Sequence, residues 1–229
     1  MNKFKEQNNI SRKILEINKN KLEHSLTYRW NTFIINENVF SPKIFNAWEI
    51  FTNYLLKEKF ENKKMLEIWA WTWITGFSLF LNKNLKSLTL TDINNYAVEN
   101  CKINKEKFKI SWNIKILKSN VFENINEKFD IIYWNFPWIL EDKDYQYKNE
   151  LEKWLFDPWY LLLEKYISGI EKHLEENWRS FIWFWDFWDL NMLKNISKKY
   201  WYILKILIEK TWKEWWDVKF ILYEFIKND

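Results

Sequence analysis

Glycine is nearly absent from this chain, with 2 residues in 229 where an ordinary domain of that length holds roughly 16. A domain built on tight turns cannot normally spare it, because glycine supplies the left-handed backbone those turns require. Cysteine is just as scarce. Cys101 stands alone beside two histidines, His24 and His173, which excludes a disulfide framework and a Cys/His zinc set, so no metal site is expected. No apolar run nears membrane-spanning length and no leader pattern opens the chain, which predicts a cytoplasmic protein without a membrane partner. The formal charge of +4, from 35 Lys+Arg against 31 Asp+Glu, is too mild to argue for nucleic-acid binding by itself.

What the chain has instead is tryptophan. The 18 Trp and 2 Gly together come close to the glycine content expected of such a chain. Many tryptophans sit where turns belong. Asn177-Trp178 precedes an apolar run, Tyr200-Trp201-Tyr202 follows a helical one, and Glu214-Trp215-Trp216-Asp217 lies between two strands. These read naturally as Asn-Gly, Tyr-Gly-Tyr and Glu-Gly-Gly-Asp. A gene whose UGA codons specify glycine, translated with a code that gives tryptophan, accounts for the pattern. The alternative is a truly tryptophan-rich chain, and Trp30 and Trp48 stand as candidates for genuine tryptophan.

Residues 1–26 are polar and basic, with Ile10, Ile14, Leu15, Ile17 and Leu22 on an apolar stripe. A hairpin follows, turning at Trp30-Asn31, and Ser41-Pro42 is expected to start a helix reaching about residue 60. From Lys64 the pattern alternates. Strands at 65–68, 87–91, 114–118, 129–133 and 179–184 are separated by helices at 75–81, 95–108, 159–174 and 190–200. Alternation of this kind requires a parallel sheet. Runs at 202–209 and 218–226 make a terminal antiparallel pair. The expected fold is α/β: a seven-stranded, mostly parallel Rossmann-like sheet ending in an antiparallel hairpin. An N-terminal extension over 1–40 would precede the main domain at 41–229.

The organising stretch is Met65-Leu66-Glu67-Ile68-Trp69-Ala70-Trp71-Thr72-Trp73-Ile74-Thr75-Gly76. With glycine at 69, 71 and 73 it becomes a strand, a glycine-rich loop and a helix, which lets a ligand approach backbone at a helix N-terminus. Asp92 ends the next strand about 20 residues on, where a carboxylate can accept ribose hydroxyls; it could also cap the following helix. Ser119-Asn120-Val121-Phe122 forms a turn after the third strand, and Asn135-Phe136-Pro137-Trp138 a loop after the fourth.

These segments, from about Val39 to the end, resemble class I S-adenosylmethionine-dependent methyltransferases. Within them they look most like the release-factor glutamine methyltransferases and the small-domain RNA and protein methyltransferases. The resemblance implies S-adenosyl-L-methionine as cofactor. It places the backbone of Trp69, Ala70, Trp71, Thr72 and Trp73 against the methionine and ribose, with Glu67 answering the cationic amino group. It places Asp92 on the ribose, Ile93-Asn94 beside the adenine, and Asn120 and Val121 near the adenine amino group, where the family usually has an acid. Asn120 has a plain turn role as its alternative.

Asn135-Phe136-Pro137-Trp138 resembles the family's Asn-Pro-Pro-Tyr loop, whose amide and backbone oxygens hold a planar nitrogen in line with the methyl group. Phe136 replaces the first proline, and a glycine at 138 would remove the stacking ring. The implied activity is N-methylation of a protein glutamine, as in a translation factor or ribosomal protein, or of an RNA base. An rRNA or tRNA adenine or guanine N-methyltransferase is one alternative, and a catalytically degenerate methyltransferase-fold binding protein another. Tyr145, Tyr147, Asp157-Pro158 and Tyr160 fall in the substrate-facing excursion of that family. Trp183–Trp188 is expected to be a strand-to-helix turn rather than a stacking cluster. Three tryptophans at 69, 71 and 73 would fill or distort the cofactor volume.

Overall fold

The computed structural model describes residues 12–18, 21–44, 47–71, 73–110, 113–137, 139–186, 189–212 and 218–228. Residues 12–18 form a helix, α1, with Ile14 and Leu15 buried. Its Asn18 ties it to the chain ahead, donating to Val39 O at 3.2 Å and accepting from Ser41 N at 2.7 Å. The hairpin comprises β1 (His24–Tyr28) and β2 (Asn31–Ile35). Arg29 and Trp30 between them both have positive φ, 45° and 70°. A two-residue loop of that kind matches the right-handed twist of the strands, and its usual sequences end in glycine.

Helix α2 (Ala47–Leu55) buries Ala47, Phe51, Thr52 and Leu55 on one face. It is shorter than the expected helix from Ser41 to residue 60. Residues 42–44 form a turn, and the Ser41 hydroxyl pairs with His24 Nε2 at 2.8 Å. The other end tightens into i→i+3 bonds, Lys57 N to Tyr54 O and Glu58 N to Leu55 O, and closes the helix.

The main sheet follows. β3 (Lys64–Ile68) leads to α3 (Ile74–Lys83), β4 (Ser87–Asp92) to α4 (Asn95–Lys107), and β5 (Ile114–Lys118) to β6 (Phe129–Trp134). A small parallel pair, β7 (Ile139–Glu141) and β8 (Phe156–Pro158), brackets the single turn α5 (Glu152–Leu155). Then come α6 (Leu161–His173), β9 (Leu174–Trp185), α7 (Leu190–Lys199), β10 (Tyr202–Trp212) and β11 (Val218–Lys227). The seven-stranded sheet has the order β10-β11-β9-β6-β3-β4-β5. β5, β4, β3, β6 and β9 are parallel, and β11 runs antiparallel to both β9 and β10. The expected sheet and terminal hairpin are both present.

Burial explains the central strands. Met65, Leu66 and Ile68 of β3 have no exposure, since helices cover both faces of a parallel sheet. Helix α4 serves a second purpose through two buried asparagines. Asn104 and Asn100 accept from Ile34 N and Asn36 N at 2.8 Å, and both amides donate back to Ile34 O. The hairpin is thereby docked to the sheet layer. The lone Cys101 is buried on the same helix, where burial pushes its thiol pKa up.

Two local expectations shift. Helix α6 starts at Leu161 rather than 159, because Trp159 and Tyr160 take positive φ of 52° and 61°. Strand β9 starts at Leu174, but its pairing with β6 jumps from Leu174 to Arg179 against Phe129 to Ile131. Residues 175–178 stand against Asp130 alone, three more than the register needs, so the anticipated Asn177-Trp178 turn takes the form of a bulge. Trp183 and Trp185 lie buried in β9, and Asp189 caps α7, as a strand-to-helix passage requires; residues 187–188 lie outside the described residues. Among the described residues, no helix is long and apolar enough to cross a membrane.

Candidate active site

The strand order reverses at β3, with β4 and β5 on one side and β6 and β9 on the other. Crevices form at the carboxyl ends of strands where order reverses, and ligands bind there. The chain segments leaving β3, β4, β5 and β6 are those singled out from the sequence.

The loop after β3 has an unusual backbone. Trp69, Trp71 and Trp73 take φ values of 53°, 49° and 63°, a conformation costing a residue with a Cβ roughly 1–2 kcal/mol. Backbone bonds fix the turn: Trp73 N donates to Ala70 O at 2.6 Å, Ala70 N to Thr91 O at 3.3 Å, and Trp71 N to Asp92 Oδ2 at 3.1 Å. Thr72 lies outside the described residues. The three indoles turn into the core, with exposures of 0%, 6% and 0%. Trp73 Nε1 reaches Ala97 O at 2.8 Å. Trp69 packs edge-on against Trp134, ring centroids 5.7 Å apart. The indole N–H groups of Trp69 and Trp134 are buried without an acceptor among the described residues, at a cost of about 1–3 kcal/mol each.

Asp92 is fully buried at the end of β4. It accepts from Trp71 N through Oδ2 and from Asn94 N through Oδ1 at 2.8 Å. Burial dominates these stabilising bonds and pushes its pKa up to about 7. The cap of α4 is Asn94, whose side chain accepts from Tyr96 N at 2.8 Å, so the capping alternative for Asp92 does not hold. Ile93 is half-buried beside it. After β5, Ser119 N donates to Asp92 O at 2.9 Å, which brings the Asn120-Val121 turn to the β4 end. Val121 is buried at a φ of 57°, a strained state for a β-branched residue. The Asn120 side-chain oxygen is a buried acceptor without a partner among the described residues.

On the other side of β3 the polar groups are satisfied. The register sets Glu67 opposite Tyr133 on β6. Asn135 follows two residues later on the same face. Tyr133 donates its hydroxyl to Asn135 Oδ1 at 3.0 Å, and Asn135 Nδ2 donates to Glu67 Oε1 at 3.1 Å. Glu67 Oε2 accepts from Gly76 N at 2.9 Å. Burial, partly offset by these donors, pushes the Glu67 carboxyl up to about 8. Burial also raises the Tyr133 hydroxyl, which keeps it a donor. The sequence reading missed Tyr133, although its spacing from Asn135 in a strand signals a shared face. Glu67 joins the first turn of α3 to the Asn135 loop, one carboxyl oxygen to each.

Phe136 is buried, stacked on Phe184 at 5.3 Å and edge-on to Trp134 at 4.8 Å. Pro137 is buried next to it, and Trp138 lies outside the described residues. The excursion residues are engaged structurally. Tyr145 donates to Glu152, Tyr147 to Phe156 O, and the Asp157 carboxylate accepts from Leu162 N and Leu163 N at the start of α6.

Comparison with known proteins decides the family. The model of the methyltransferase small domain matches residues 31–151, just over half of the chain. This chain belongs to that family. The chain is also 36% identical over 85 residues to a Methanocaldococcus jannaschii protein named as a protein N5-glutamine methyltransferase. That match spans 37% of this chain and 41% of the relative, less than half its length. Among solved structures, the chain resembles the M. jannaschii tRNA m1G37 methyltransferase in fold with a TM-score of 0.62 at 17% identity, over 92% of this chain and 58% of the other. It resembles the ribosomal protein L11 methylase of Lactobacillus delbrueckii subsp. bulgaricus with a TM-score of 0.58 at 13% identity, over 80% of each chain. A further neighbour, with a TM-score of 0.64 at 12% identity over 88% of this chain and 56% of the other, is a methyltransferase complexed with S-adenosylhomocysteine.

S-adenosylmethionine is the cofactor the resemblance implies, and the backbone and the side chains here differ in how well they would fit it. The left-handed loop, Asp92 and the unpartnered Asn120 acceptor form a suitable frame. The indoles at 69, 71 and 73 do not fit, because they occupy the volume on the loop.

Proposed function

We propose that this methyltransferase modifies the side-chain amide nitrogen of a glutamine in a protein. The observation that carries the reading is the Asn135 carboxamide, fixed at the carboxyl end of β6 between Tyr133 and Glu67. A carbonyl oxygen has two lone pairs. Tyr133 takes one on Asn135 Oδ1, which leaves the second for an N–H of the acceptor amide. With the carboxamide locked at both ends, its oxygen is presented in one orientation and no ordering is left to be done when the acceptor arrives. S-adenosylmethionine supplies an electrophilic methyl group. The protein's own contribution is alignment of the nitrogen, and alignment alone lowers such a barrier substantially.

Two features favour a carboxamide over a nucleobase. Phe136, the ring nearest Asn135 in sequence, is stacked in the core and offers no face to a base. The groove along the neighbouring excursion carries both signs of charge, from Asp142, Lys143, Asp144 and Lys148, whereas phosphate-tracking surfaces are basic.

Tritiated-methyl transfer tests the proposal, with the chain as written and with W69G/W71G/W73G. Label should pass to a glutamine-containing protein fraction of a cell extract, and the methylated residue should be N5-methylglutamine. Label passing to RNA in place of protein would overturn the glutamine assignment. Cofactor binding with transfer to neither would favour the binding-protein alternative.

A further inference from the structure

The tryptophans of this chain fall into two groups when sorted by backbone. Trp30, Trp69, Trp71, Trp73, Trp159 and Trp201 all have φ between 49° and 70°. They account for six of the fourteen positive-φ residues among those described. The region is uncommon for any side chain, and the residues that tolerate it best are Asn and Asp rather than aromatics.

The six positions share no environment. Trp30 is the second residue of a two-residue hairpin turn and is 99% exposed, while Trp69, Trp71 and Trp73 line the buried loop after β3. Trp159 precedes α6. Trp201 follows the end of α7, where its N–H donates to Lys198 O at 3.1 Å. Five of the six lie in contexts that glycine ordinarily fills: the turn ending in glycine, the loop after β3, and the residue just past a helix C-terminus. Packing cannot be the common cause across exposed and buried sites. Backbone conformation is the one property they share.

Trp48, outside that group, behaves as tryptophan should. Trp48 lies inside α2, donates its indole N–H to Pro42 O at 3.1 Å and packs edge-on to Tyr28 at 5.0 Å. The two written glycines differ again. Gly76 and Gly169 sit in helices without positive φ, where a Cβ would come within 2.3 Å of Glu67 Oε2 and 2.5 Å of a Phe122 ring carbon. They are retained for space, and the positions needing glycine for conformation hold tryptophan.

We propose that the functional polypeptide carries glycine at 30, 69, 71, 73, 159 and 201 and tryptophan at 48, and that glycine at 69, 71 and 73 opens the S-adenosylmethionine site. The inference rests on the family's use of that cofactor and is independent of which acceptor is methylated. Removing three indoles frees the volume they fill beside Trp134, Phe40, Trp183 and Ala97, next to the backbone of the loop. Asp92 and Asn120 then become the polar side chains facing the nucleoside, and Asn120 Oδ1 gains the donor it lacks. Trp30, assigned with Trp48 on sequence grounds as a candidate for genuine tryptophan, moves to the glycine group on its φ of 70°.

The test has two readouts, neither of which is catalysis. The first pairs the codons at these positions with the masses of peptides from the protein isolated from its source. UGA codons with glycine masses at the six positions, and UGG with a tryptophan mass at 48, are expected. UGG codons with tryptophan masses at 69, 71 and 73 would overturn the inference. The second is calorimetric titration of S-adenosylhomocysteine into the chain as written and into W69G/W71G/W73G. Binding at least 100-fold tighter in the glycine variant is expected. Equal affinity in a folded pair would overturn the opened site even with glycine masses in hand. Failure of the glutamine assignment would leave both readouts untouched.

Discussion

The two loops flanking β3 occupy mirror positions at the same sheet edge and are built in opposite ways. On the Asn135 side, side chain and backbone agree: Tyr133, Asn135, Glu67 and Gly76 N form an unbroken hydrogen-bonded series. On the Trp69–Trp73 side they conflict. The backbone is left-handed at three positions, bulky rings fill the space above it, and the Trp69 indole N–H is buried without an acceptor among the described residues. A natural site can carry strain of this order at one residue. Three alternating residues carrying it, with the same residue type carrying it at distant turns, locates the fault in the residue assignment and leaves the fold intact.

The largest expected effect lies on the satisfied side. Asn135→Ala should lower methyl transfer by about 10²–10³-fold, the scale seen when one positioned polar contact is removed from a reaction centre. It should also lower stability by roughly 1–3 kcal/mol, because Glu67 Oε1 and the Tyr133 hydroxyl lose their partner in a dry interior. Single-turnover transfer and urea unfolding read the two effects separately.

Gly76→Ala should act on stability first. The new Cβ would lie 2.3 Å from Glu67 Oε2, and overpacking of a filled interior costs typically about 1–3 kcal/mol. A variant as stable as the parent would show that Glu67 can withdraw from Gly76 N, and that the series is looser than its distances indicate.

Acidity gives a third handle. Glu67 has its ordinary value of 4.5 in the unfolded chain and about 8 when buried in the folded one. Between those values the folded state holds a proton that the unfolded state has released. Stability is therefore greatest below about pH 4.5 as far as this group is concerned, and falls as pH rises toward 8, by at most about 1.4 kcal/mol per pH unit. Asp92, raised to about 7, adds a slope of the same sign. Urea midpoints measured from pH 5 to 8 should decline, and Glu67→Gln should flatten the decline while leaving the Asp92 part.

The strained side predicts gains. Trp201→Gly and Trp30→Gly sit at exposed positive-φ positions, and each should raise stability by roughly 1–2 kcal/mol as the Cβ penalty disappears. Trp48→Gly should instead destabilise, since it removes a helical, hydrogen-bonded ring. Thermal unfolding of the three variants sharpens the contrast; loss of stability in all three would erase it. The smallest effect belongs to Tyr133→Phe. It should reduce kcat several-fold and leave S-adenosylhomocysteine affinity unchanged, because the hydroxyl only orients Asn135.

Most of the sheet was legible because its signals are local and repeated. Apolar strands alternate with amphipathic helices from β3 onward, and Asp92 and Asn135 fall at strand ends by count alone. The parts that were not legible depend on partners distant in sequence. Glu67 meets Asn135 68 residues away, and only the β3–β6 register, which no local pattern encodes, brings them together. Asn94 rather than Asp92 caps α4, because Asp92 is held back by Trp71 N and Asn94 N. The short pair β7 and β8 has three residues per strand and leaves no periodicity to read. The loop after β3 was readable in outline, since alternate positions in a strand-to-helix turn point to glycine whatever letter is written there.

Cys101 offers a way to watch all of this in time. It is the one thiol in the chain, fully buried in α4, with its reactive thiolate suppressed. An alkylating reagent can reach it only when that helix lifts away, so the labelling rate measures how often the sheet's β4 flank opens. The hairpin held by Asn100 and Asn104 rides on the same helix. The rate of a single chemical event at one sulfur thus becomes a clock for the motion of the whole N-terminal layer.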